Sequence, residues 1–219
     1  GSTYAAAVGP GLLGRIIEQL SGEDYETYVT KNILMPLGMH RTFFDRAPSH
    51  LRPHRSHSYT RDARGLHDAP FDFDTGITVS NGGLNAPMTD MARYLAFLQG
   101  LGPADWRTAH DHVLDRASLH EMWQPAVRAA DGEGGSGNDV HAGLSFFVER
   151  HGGTELVGHS GQQAGFVSHI YLHRPSNTAW AVAFNTDVTA DASARPAPTT
   201  RAVDDAVRDA MVRLLTGAR

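Results

Sequence analysis

The sequence predicts an α/β (α+β) fold, with an antiparallel sheet flanked by helices and a separate, mainly helical lobe. Three observations predict it. Leu12, Leu13, Ile16, Ile17 and Leu20 recur at helical spacing near the amino terminus. Past residue 140 the apolar period falls from about 3.6 to about 2. From Thr199 to Leu215 helical spacing returns, with Val203, Val207, Met211, Leu214 and Leu215 on one stripe. On this pattern residues 1–219 read as a partial domain: 1–140 is mainly helical lobe and loops, and 141–219 holds the sheet strands and the carboxy-terminal helix.

The elements follow in order. The first helix is expected to bury its leucine–isoleucine stripe and to end at Ser21-Gly22. A second, from Asp24 to about Ile33, carries Tyr25, Tyr28 and Val29 inward before Pro36-Leu37-Gly38 breaks the chain. Residues 43–76 show little periodicity and contain Pro48, Pro53, Gly65, Pro70 and Gly76, which predicts a long surface loop. Thr89-Asp90-Met91 is expected to cap a helix that buries Met91, Tyr94, Leu95 and Leu98 and stops at Gly100. Residues 115–123 make another short helix, and Asp131–Asn138 a solvated turn. Leu144–Glu149 and Thr154–Val157 read as strands joined by a hairpin turn over 150–153. Val167–Leu172 and Ala179–Phe184 form a second pair around Arg174–Asn177.

Composition narrows the function. Of 219 residues, 41% are apolar and 20% charged, which is globular rather than disordered. The net charge of −5 leaves no basic surplus to hold phosphates, so no nucleic-acid partner is expected. No apolar run is long enough for a membrane span. With no cysteine, disulfides, thiolate metal sites and a cysteine nucleophile are excluded, and the compartment stays undecided. Four histidines fall in the 43–76 stretch (His50, His54, His57 and His67), but no carboxylate at helical spacing completes a ligand set, so neither a metal site nor a cofactor is expected. Gly158-His159-Ser160-Gly161 sits at the end of a predicted strand. It is either a plain glycine-rich turn or a place where backbone meets a ligand and an edge N–H meets a developing oxyanion.

Several segments together resemble the serine β-lactamase-like family, which includes class C β-lactamases, family VIII esterases and D-Ala-D-Ala carboxypeptidase-like penicillin-binding proteins. They are Leu12–Glu18, Ser21-Gly22, Ile33–Thr42, Gly82-Gly83-Leu84 with Thr89–Leu95, and Gly158–Gly161 with Gly165-Phe166. The resemblance runs in order over nearly the whole chain and implies a β-lactamase/transpeptidase-like fold. It implies that His159 and Ser160 are catalytic side chains facing a cleft between sheet and helical lobe. Gly161 would be the spacer beside the substrate, and Gln162 would give the second oxyanion-hole N–H.

The family's acyl transfer uses a Ser-x-x-Lys nucleophile and the Tyr of a Tyr-x-Asn motif. This chain has no Ser-x-x-Lys: its one lysine is Lys31, and Tyr28 stands three residues before it. Ala5-Ala6-Ala7 occupy the place of Tyr-x-Asn, which leaves Tyr4, one position early, as a catalytic candidate or a surface tyrosine. The chain opens at Gly1-Ser2, so any targeting signal is expected to lie outside it. The resemblance therefore implies the carboxy-terminal two-thirds of a larger unit, whose partners are a missing amino-terminal segment of the same protein and a small-molecule acyl substrate. The alternative is a non-catalytic ligand-binding protein on the same fold.

Overall fold

The structure, a computed structural model, describes residues 8–62, 64–69, 74–129, 139–151, 153–188 and 199–217. The chain begins with α1 (Val8–Ser21), α2 (Tyr25–Val29), β1 (Phe43–Phe44), β2 (Tyr59–Asp62) and β3 (Gly65–Asp68). Then come α3 (Val79–Gly82), β4 (Leu84–Asn85), α4 (Met88–Gln99), α5 (Ala104–Val113) and α6 (Arg116–Met122). The rest is β5 (Val127–Arg128), β6 (Val140–Ala142), β7 (Phe147–His151), β8 (Thr154–Gln163), β9 (Phe166–His173), β10 (Thr178–Phe184), β11 (Thr186–Val188) and α7 (Thr200–Thr216). Two compact units result: residues 8–55 with 74–121, and residues 56–69 with 122–217, as far as these are described.

In the helical unit, Leu34, Leu37, Met39, Phe97, Leu98 and Leu119 are buried. The stripe expected to bury α1 does not. Leu12, Leu13, Ile16 and Leu20 are exposed, and α1 packs instead through its small residues. Gly14 lies so close to Ser80 that a Cβ there would collide with it, and the Ser80 hydroxyl donates to the Pro10 carbonyl at 2.8 Å. A glycine face lets α3 approach more closely than leucines would. Asp90 also departs from expectation. Pro87 is the N-cap of α4, and the Asp90 carboxylate is buried, accepting from the Arg41 N–H and the Thr42 hydroxyl, each at 2.9 Å.

The sheet unit holds a six-stranded sheet in the order β10-β9-β8-β7-β6-β5, antiparallel throughout. The strand run expected between 144 and 185 is present as β7 to β10. β8 is longer than expected and carries the Gly158–Gly161 segment within the strand rather than after it. β8 and β9 are joined by Ala164-Gly165, both with positive φ, a two-residue turn whose twist matches the strands it joins. Gly165 is pressed against Tyr59 and Ala69, where a Cβ would have no room. The stretch expected to be a plain loop holds β2 and β3, an antiparallel hairpin that β11 extends in parallel through Thr186 opposite Tyr59. Its strands are short and mostly exposed, so their sequence carries little alternation. Their register is instead set by a strand more than a hundred residues away, which local periodicity cannot reveal.

α7 begins at Thr199, whose side chain accepts from the Ala202 N–H at 3.1 Å. Thr200 ties it to β11, donating to the Thr186 carbonyl at 2.7 Å and accepting from the Val188 N–H at 2.9 Å. Its buried residues are Thr200, Asp204 and Arg208, while Val203 and Leu214, on the expected apolar stripe, are exposed. The helix is turned by about one residue, roughly 100°, from the orientation its apolar stripe predicts.

Candidate functional site

The Gly158–Gln163 run is placed by pairing on both sides of β8. β7 pairs it only as far as Phe147 opposite Gly158, whereas β9 continues to Phe166 opposite Gln163. Beyond Gly158, among the described strands, β8 is therefore paired on one side only, and backbone groups on its other edge are open to a ligand. His159 keeps part of its surface open to solvent while its ring stacks on Phe147 at 5.5 Å. Burial of its surroundings holds its pKa below the ordinary 6.5, and the charge of His169 lowers it further; a hydrogen bond with the Ser160 main chain acts the other way. The neutral imidazole, able to accept a proton, is thus the form favoured at neutral pH.

Ser160 is half-buried and stands opposite His169 in the ladder. Gly161 is exposed, and a Cβ there would meet only the Ser168 Oγ, at 3.7 Å, so packing does not require glycine at this position. Gln162 is exposed and its side-chain amide donates to Asp187 Oδ2 at 2.7 Å. Tyr4 and Ala5–Ala7 lie outside the described residues.

Sequence reasoning missed a buried group of side chains on the same strands. Glu149, His169 and Tyr171 lie buried from β7 and β9 against Asp204 and Arg208 of α7. The available signal was an Asp204/Arg208 pair at i, i+4 beside the apolar stripe of the same helix. Among the described residues no group of histidines and carboxylates is arranged to hold a metal ion. No helix among them is long and apolar enough to cross a membrane.

The family profile described as Beta-lactamase matches residues 2–204. "Beta-lactamase-like protein 2" of Dictyostelium discoideum is 26% identical over 183 residues, 80% of this chain but 29% of that protein. The octameric penicillin-binding protein homologue from Pyrococcus abyssi superposes with a TM-score of 0.73 at 24% identity, over 99% of this chain and 43% of that one. A D-amino acid amidase from Ochrobactrum anthropi SV3 gives 0.77 at 20% identity, over 100% of this chain and 60% of its own. The chain thus spans less than two-thirds of the length of these relatives.

Proposed function

The chain belongs to the beta-lactamase family, and on that premise we propose that it is part of a serine hydrolase acting by acyl transfer on an ester, an amide or a β-lactam. The observation that carries this reading is β8, whose edge opens at the residue that follows Gly158. In the proposed reaction the nucleophile is the serine of a Ser-x-x-Lys outside this chain. His159, neutral, takes or relays a proton; Ser160 hydrogen-bonds the substrate. Gly161 keeps side-chain bulk away from the ligand, and the Gln162 main-chain N–H faces the developing oxyanion. Tyr4 is the proposed proton-transfer tyrosine beside three alanines, a weak version of Tyr-x-Asn.

The second reading, a binding protein that holds a carboxylate or peptide along the same strand, is favoured by those alanines. Mass spectrometry after incubation with a labelled β-lactam and an activated ester separates the two. The 219-residue chain should form no covalent adduct, because an unassisted serine is a poor nucleophile. A longer protein supplying Ser-x-x-Lys should be acylated, slowly. Restoring Tyr and Asn within residues 5–7 should recover a large part of the deficit, since a positioned proton-transfer group contributes about 10²–10⁴ in rate. An adduct on the 219-residue chain would overturn the placement of the nucleophile. No adduct on any of the three would favour the binder.

A further inference from the structure

The sheet unit encloses polar atoms that its own side chains leave unsatisfied. Glu149 Oε1, His169 Nε2, the Tyr171 hydroxyl and Asp204 Oδ1 are all buried with no hydrogen-bond partner. Glu149 and Tyr171 have no exposed surface, and His169 and Asp204 keep only 3% and 6%. Each such atom forfeits the hydrogen bond it makes with water in the unfolded chain, so several in one place call for a partner. The other atoms of these groups are already paired. His169 Nδ1 lies 3.0 Å from Asp204 Oδ2 and, because a carboxylate offers no proton, donates to it. Glu149 Oε2 pairs with His151 Nε2 at 2.9 Å and stands 3.9 Å from Arg208 Nη1. His169 Nε2 is 3.8 Å from Glu149 Oε1, too far for a direct hydrogen bond. Tyr171 stacks on His169 at 3.8 Å between centroids. It stands opposite Gly158 in the ladder, so β8 puts no side chain between β9 and β7 in that row.

We propose that one ordered water molecule belongs to the core here, held by Glu149 Oε1, His169 Nε2 and the Tyr171 hydroxyl. An oxygen about 2.8 Å from both Nε2 and Oε1, atoms 3.8 Å apart, sees them roughly 85° apart, an angle water's hydrogen bonds can adopt. The donors and acceptors also suit water. Burial, and after it the Glu149 and Asp204 carboxylates, push the Tyr171 pKa up, so the phenol keeps its proton and donates to the oxygen. Glu149 Oε1 accepts one of the water's own protons. His169 is served in either charge state, since water accepts from an Nε2–H and donates to a bare Nε2. A metal ion fits less well, because among the described residues no group of histidines and carboxylates is arranged to hold one. Three polar partners is the usual complement of an internal water, and such waters are costly to remove. The role is structural and independent of the acyl-transfer reading. The water completes a hydrogen-bonded path from β7 to His169 on β9 and on to Asp204, which seats α7 on the sheet.

A crystal structure of the protein in which ordered water is visible tests this directly. Density for one oxygen is expected within about 3.2 Å of Glu149 Oε1, His169 Nε2 and the Tyr171 hydroxyl. A map with no density there overturns the proposal. So does a direct hydrogen bond between Nε2 and Oε1, or density with the shorter contacts of a bound metal ion. In solution, oxygen-17 relaxation dispersion should detect a water held for longer than the protein takes to tumble. Y171F keeps the stacked ring and removes one of the three partners, so this long-lived signal should shrink. A folded Y171F with the signal unchanged overturns the assignment. If Y171F does not fold, the map of the unsubstituted protein decides.

Discussion

Helix α1 turns Leu12, Leu13, Ile16 and Leu20 outward, at exposures from 52% to 84%, while α7 turns Asp204 and Arg208 inward, at 6% and 3%. Both helices are amphipathic, and each inverts the expected rule at its packed face. α1 is held by close approach, through Gly14 and the Ser80–Pro10 hydrogen bond. α7 is held by polar partners, with Asp204 on His169 and Arg208 among Glu149, Asp205 and Asp209. Hydrophobic periodicity therefore finds a helix, but what lies opposite decides which face it buries. Dispersion at short range serves the first contact, and compensated charge the second.

The largest break in this comparison should come from Arg208→Ala. It leaves Glu149 buried beside an unbalanced set of carboxylates, and removing one partner of a buried pair costs about 3–5 kcal/mol. Chemical denaturation should read that loss, with a lower midpoint and an unchanged slope. A cost under about 1 kcal/mol would mean the charge cluster does not hold α7.

On α1 the corresponding test is Gly14→Ala, which drives a methyl group into Ser80 and should cost about 1–3 kcal/mol despite alanine's better helix propensity. A stabilised variant would show that the contact between α1 and α3 has room to give.

Acid should weaken both units through one histidine each. Burial lowers the pKa of His110 in α5, and burial with His169 lowers that of His159 in β8, both from 6.5. The unfolded chain then binds more protons than the folded one between each folded value and 6.5. Stability is full above 6.5 and is lost as pH falls through the folded values. His110→Gln and His159→Gln should each flatten the slope of stability against pH in that window, and a slope unchanged in both would refute the assignment.

The smallest effect is expected on the exposed stripe. Leu20→Lys, at a position 84% exposed, should change stability by no more than about 0.5 kcal/mol and lower self-association in light scattering. A loss of several kcal/mol would mean that the leucine face is covered.

Much of the site was legible in local sequence. Gly158-His159-Ser160-Gly161 stood out because glycines flank a polar pair next to a strand, and the strand is there. The partial pairing of β8 was not legible, since it depends on where β7 stops, and β7 begins at Phe147 rather than at Leu144. Nor was the requirement for Gly158 itself, which comes from the Ile170 carbonyl on the next strand.

The sequence by itself determined the run of strands between 144 and 185, the helix that follows Thr199, and the family resemblance. These depend on periodicity and on contacts a few residues apart, which the order of residues carries directly. Tertiary structure alone decided the pairing of β2 and β3 with β11, the glycine face of α1, and the burial of Asp204 and Arg208. Each of these turns on a partner tens to more than a hundred residues away. A charge becomes a core residue only when its counter-charge is folded against it, and no local pattern encodes that meeting.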